Sequence, residues 1–111
     1  MMQPLRYFAA ILLLLGAACA SIEAPKSFND RLAYGYASVA ASRNTAASML
    51  ERGRISKDEG RQVQALADRA RTGLDLARGF AGKGDTKTAE GQLALALSVL
   101  TQLETYLKGK Q

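Results

Sequence analysis

Cys19 is the only thiol in a chain of 111 residues that contains no histidine and no tryptophan. A lone thiol can be modified or act as a nucleophile, but it cannot form an intrachain disulfide or a Cys-based zinc site. The missing His removes the commonest general base and the commonest metal ligand. Ser and Thr hydroxyls are therefore left with no imidazole to activate them. The ten Asp and Glu residues form no facing pair of the kind acid–base catalysis needs. Gly82-Lys83-Gly84 superficially suggests a phosphate loop. Gly84 stands where Ser or Thr is required, however, and Gly79 lies too close upstream. An interhelical loop is the expected role. No enzymatic activity, cofactor, metal or small-molecule substrate is expected.

Arg43 falls in the middle of an apolar helical face, and Glu104 within the apolar arc of a later helix. The expectation is a partly buried Arg43–Glu104 ion pair that fixes the register of the first and third helices; the alternative is an arginine whose stem packs while its head reaches solvent. Tyr34 and Leu76 point away from the stripes of their helices, and Leu95 and Tyr106 lie on the margin of theirs, so the four are candidates for an exposed partner surface. Lys and Arg outnumber Asp and Glu by 15 to 10, a net charge of +5. Around Arg52, Arg54, Lys57 and Arg61, acids are interleaved as Glu51, Asp58 and Glu59. Nucleic-acid binding is not expected, because it calls for a cleaner basic stripe with stacking aromatics.

The first twenty residues differ in kind from the rest. Met1 to Arg6 carry one positive charge, and Tyr7 to Ala20 carry none and include Ile11-Leu12-Leu13-Leu14-Leu15. A basic head, an apolar run too short to span a bilayer and a small-residue exit make a secretory signal peptide. Leu15-Gly16-Ala17-Ala18-Cys19 resembles the lipobox of bacterial lipoproteins, although Gly16 stands where Leu is most common. The resemblance implies a signal peptide over 1–18, diacylglycerylation of the Cys19 thiol, and Cys19 as the acylated mature N-terminus. Ala20 in place of Asp after the cysteine implies sorting to the outer membrane, facing the periplasm. The alternative is ordinary cleavage after Ala20, which discards the cysteine. On the lipobox reading, residues 19–27 are the acylated cysteine followed by a flexible tether of eight residues containing Pro25. Eight extended residues reach roughly 26–29 Å.

The elements that position these residues are helices. Ser27 is a candidate cap, and Phe28, Leu32, Tyr36, Val39, Ala46 or Ala47, and Leu50 recur at helical spacing until Arg52-Gly53. Ser56 and Glu59 form a capping box ahead of a stripe of Val63, Leu66, Ala67, Ala70, Leu74, Ala77 and Ala81. Asp68–Arg71, Arg71–Asp75 and Asp75–Arg78 are spaced as surface ion pairs. Gly82 to Asp85 break the pattern, and Asp85 or Thr86 caps a third helix. Its apolar residues, from Ala89 to Leu107, cover an arc of roughly 200°, twice the stripe of an ordinary surface helix. That helix is either flanked on two sides or meets a partner. Gly35 and Gly73 lie beside apolar stripes, where close helix approach would explain them; Gly79 and Gly91 also fall within helices.

The expected fold is all-α, a three-helix antiparallel bundle over 28–111. The expected protein is a small envelope lipoprotein, anchored in the membrane by lipid, that serves as a non-catalytic interaction or structural module in the periplasm. Any protein partner would be met through helix three. In layout it is similar to small uncharacterised lipoproteins of proteobacterial genomes and prophages. Alternatives are a soluble periplasmic binder, either an inhibitor or chaperone-like, and a phage-derived envelope protein acting in exclusion or lysis.

Overall fold

A computed structural model describes residues 27–111, which form three α-helices and no strand. The signal segment, Cys19 and the tether as far as Lys26 lie outside the described residues. The helices are α1 (Phe28–Glu51), α2 (Lys57–Gly82) and α3 (Thr86–Gly109). They make a three-helix antiparallel bundle, as the sequence pattern predicts.

Each boundary has a local chemical cause. Ser27 Oγ accepts the Asp30 amide at 3.1 Å and opens α1. Ser56 and Glu59 close a reciprocal capping box at 3.1 and 3.0 Å, and Asp85 Oδ1 accepts the Thr88 amide at 3.2 Å. Both turns end a helix in a Schellman motif. Arg54 N donates to Met49 O at 2.8 Å, and Asp85 N to Phe80 O at 2.9 Å. This geometry places Gly53 at φ 70° and Gly84 at φ 83°, a region where a Cβ is strained and glycine is not.

The buried positions alternate in steps of three and four. On α1 they are Leu32, Gly35, Val39, Ser42, Ala46 and Met49, with Ser38 also buried beside Val39. On α2 they are Val63, Ala67, Ala70, Leu74 and Ala77, and on α3 Ala89, Leu93, Ala96, Leu100, Leu103 and Leu107. A mean step of 3.5 residues is the repeat of helices packed side by side in a supercoiled bundle. It corrects one expectation about α1, since Met49 is buried while Leu50 is exposed, and of Ala46 and Ala47 it buries Ala46. On α2, Ala81 is exposed and Leu66 only half-buried.

Two glycines are explained by close approach. A Cβ on Gly35 would lie 2.6 Å from Leu74 Cδ2, and one on Gly73 would lie 3.1 Å from Ala96 Cβ. Gly79 and Gly91 meet nothing within 4 Å, so neither is needed for packing. Ile55, in the first turn, closes one end of the core with only 4% of its surface exposed.

Candidate functional site

Arg43 does not pair with Glu104. It sits at the edge of the α1 stripe, with its side chain 29% exposed, and its guanidinium donates to Gln64 and Asp68 on α2. The physical reason is its side of the stripe: Arg43 lies toward α2, whereas Glu104 faces the other flank of α1. Glu104 borders a shallow groove with Ser38, Ala41, Ser42 and Thr45 of α1. Nearby, Tyr36 donates to Asp75, and the Arg78 guanidinium stands 5.6 Å from the Tyr36 ring centre. Burial first, then the Asp75 carboxylate, pushes the Tyr36 hydroxyl above its ordinary value. Of the expected α2 surface pairs, only Asp75–Arg78 forms, at 3.8 Å. Asp68 is drawn instead to α1. Around Tyr36 and Arg43 the seam between α1 and α2 is thus bridged by polar side chains from both helices, while toward the first turn it leaves an apolar groove lined by Ala46, Ala47, Leu50 and Gly60.

Tyr106 does not belong to an open surface. It is half-buried and donates to Glu59 Oε2 at the start of α2, while Lys110 Nζ lies 2.9 Å from the same oxygen and 5.6 Å from the Tyr106 ring. The Tyr106 hydroxyl, the Ser56 amide and Lys110 together hold the Glu59 carboxyl at about 2, against an ordinary 4.5. Arg54 Nη1 adds a bond to the Gln111 carbonyl at 3.3 Å. This cluster ties the first turn and the start of α2 to the end of α3. At the opposite end, Arg31 and Glu90 pair at 2.7 Å, joining the first turns of α1 and α3.

Leu76 and Leu95, by contrast, come together. They stand on opposite walls of a groove of about 590 Å³ between α2 and α3, with Gly73, Ala96 and Val99 as further apolar lining. Only α2 and α3 contribute to it, so it opens on the side of the helix pair away from α1. Leu76 is 47% and Leu95 65% exposed. The polar lining is Arg69, Thr72, Gln92, Ser98 and Gln102, and it contains no carboxylate. Tyr34 is 59% exposed on α1 and does not line this groove. Two of the four candidate surface residues therefore meet, and two do not.

The wide apolar arc of α3 is mostly accounted for inside the bundle. Leu97, Val99 and Tyr106 are half-buried against the core on its two flanks, leaving Leu95 as the excess. The sequence pattern does not reveal the pairing of Gly73 with Ala96 or the lack of charge along the groove. A visible signal exists for the second: residues 91–103 contain no Lys, Arg, Asp or Glu.

Among the described residues, no cluster of three or more His, Cys, Asp or Glu side chains could hold a metal ion. No described helix is long and apolar enough to cross a membrane. Gly82 ends α2 and Lys83 caps it, so a helix precedes them where a phosphate loop would require a strand. Comparisons with protein-family models, curated proteins and solved structures find no significant match to the chain.

Proposed function

We propose that the protein is a small envelope lipoprotein whose Cys19 carries the lipid and whose helical bundle is a non-catalytic interaction module. The observation that carries the interaction role is the α2–α3 groove. It holds two large, exposed leucines on its two walls, in a bundle that buries its other leucines of α2 and α3 in whole or in part. Exposed apolar residues that share a groove cost solubility unless something covers them. The anchor is supported by Leu15-Gly16-Ala17-Ala18-Cys19 and by the bundle's start at Phe28, eight residues beyond Ala20. Acyl chains on Cys19 would hold the domain at a bilayer without a protein span, and the tether would give it reach into the periplasm. Outer-membrane placement follows from the same reading of Ala20.

Metabolic labelling with a palmitate analogue, followed by intact mass of the mature chain, tests the anchor. Label on the wild type and none on Cys19→Ala is the expected result. A mature chain beginning at Ser21 would instead mean a soluble periplasmic binder.

A further inference from the structure

We propose that the α2–α3 groove receives an amphipathic helix whose apolar ridge is flanked by carboxylates, an inference that rests on the interaction role above and names its partner's chemistry. The shape comes first. The lining runs from Arg69 to Leu76 on α2 and from Gln92 to Gln102 on α3, roughly 10 and 15 Å at 1.5 Å per residue. That is a trough along the helix axes roughly two to three turns long, which suits apolar anchors at i, i+3 or i+4, and i+7. Gly73 and Ala96 make its floor from small residues, so an incoming backbone can approach closely.

Charge then selects the partner. Arg69 stands on the rim, and no carboxylate lines the groove. Lys83, the residue that follows α2, lies about two turns beyond Leu76, with its ammonium 5.9 Å from the Phe80 ring centre. Lys87, exposed like Lys83, opens α3 at that same end. Among the described residues, none of these three cations is paired with an acid. The acids of central α2 are engaged elsewhere, Asp68 with Arg43 and Asp75 with Tyr36 and Arg78. One arginine beside an apolar floor, with no carboxylate in the lining and Lys83 and Lys87 flanking Asp85 beyond its end, is complementary to acidic groups beside an apolar ridge. A second copy of this chain is a poor occupant, because an isologous contact would set the cations against a face with no carboxylate. A flat bilayer fits poorly as well, since the two leucines line the walls of a concave trough.

The full chain with a benzoylphenylalanine crosslinker in place of Leu95 is reconstituted in nanodiscs of phosphatidylcholine and phosphatidylglycerol in equal parts. Two synthetic helices share one leucine ridge, flanked by Glu in one and by Lys in the other. The Glu-flanked peptide should crosslink and bind at least about tenfold more tightly than its Lys counterpart, and Arg69→Glu should reverse the preference. Equal capture of both peptides overturns the proposal, as does preferential capture of the Lys-flanked peptide. Crosslinking to phospholipid or to a second copy also overturns it, while leaving the groove as an interaction face. A probe at position 95 that captures nothing overturns both the partner chemistry and the interaction role.

Discussion

The two flanks of α2 are built by different means. Toward α1, Arg43 reaches Gln64 and Asp68, Tyr36 reaches Asp75, and Arg78 lies over the Tyr36 ring. Toward α3, the helices close on Gly73 against Ala96, and the outer edge of that seam is left with Leu76, Leu95 and Arg69. Polar groups on the first flank find partners within the chain. On the second flank, the apolar groups and the cation of the rim find none. On the proposed function, the flank whose polar groups satisfy one another serves the fold, and the flank with exposed leucines and no counter-charge meets its complement in a partner.

The largest effects should come from the core shared by both flanks. Leu74 is fully buried and touches the space where Gly35 lacks a side chain. Leu74→Ala should lower stability by about 2–5 kcal/mol, and Gly35→Val by about 1–3 kcal/mol through overpacking. In the double variant, the valine partly fills the cavity left by the leucine. Chemical denaturation should therefore show less than the sum of the two losses, whereas strict additivity would mean the two sites do not touch.

The polar flank should be weaker. Arg43→Met should cost about 1 kcal/mol or less, since Asp68 is largely exposed and solvent screens the pair. A double-mutant cycle between Arg43 and Asp68 should give a coupling of a few tenths of a kcal/mol, and one between Arg43 and Glu104 none. A larger coupling to Glu104 would restore the pairing expected from sequence and move Arg43 to the other flank.

Acidity probes the end of the bundle. Glu59 titrates at about 2 when folded and at 4.5 ordinarily, so its contribution is complete above pH 4.5 and is lost as the pH falls toward about 2. Glu90 is lowered too, chiefly by its bond from Arg31, and shares that direction. Thermal midpoints should fall across this window, and Glu59→Gln should shrink the fall without abolishing it. The hydrogen bond with Glu59 raises both Tyr106 and Lys110. Their contribution is therefore present below their ordinary values of 10.0 and 10.5 and is lost as pH rises through the still higher folded values.

The smallest shift separates the two kinds of glycine. Gly91→Ala meets open space and should stabilise the bundle by up to about 1 kcal/mol. Gly73→Ala should gain less, or lose, because its new Cβ would press on Ala96 at 3.1 Å. Equal gains at both positions, read by thermal unfolding, would mean that the α2–α3 seam is not closely packed.

These differences also mark what the sequence could disclose. Helix ends were legible because caps and turns are local: Ser27, Ser56, Asp85, Gly53 and Gly84 act within a few residues of themselves. The choice of Met49 over Leu50 was not. A stripe projected at 100° per residue drifts about 20° per heptad from a 3.5-residue repeat, and three heptads separate Phe28 from the end of α1. That accumulated rotation of about 60° exchanges neighbours at the edge of the face. The partner of Arg43 was hidden for a related reason. A residue at a stripe's margin can turn to either adjacent helix, and only the arrangement of the three helices decides which. Leu76 and Leu95 were legible individually as residues off the buried stripes. Their meeting across Gly73 and Ala96 depends on the relative heights of two helices, which neither pattern contains.

On the proposed function, the leucine-lined flank serves binding and the flank toward α1 serves folding. Chemical denaturation of Leu76→Gln/Leu95→Gln beside wild type tests it most directly. A change within about 0.5 kcal/mol, the usual range for exposed positions, is the predicted result. A loss of about 2 kcal/mol or more, the scale of a buried leucine, would contradict it by showing that these side chains hold the bundle together.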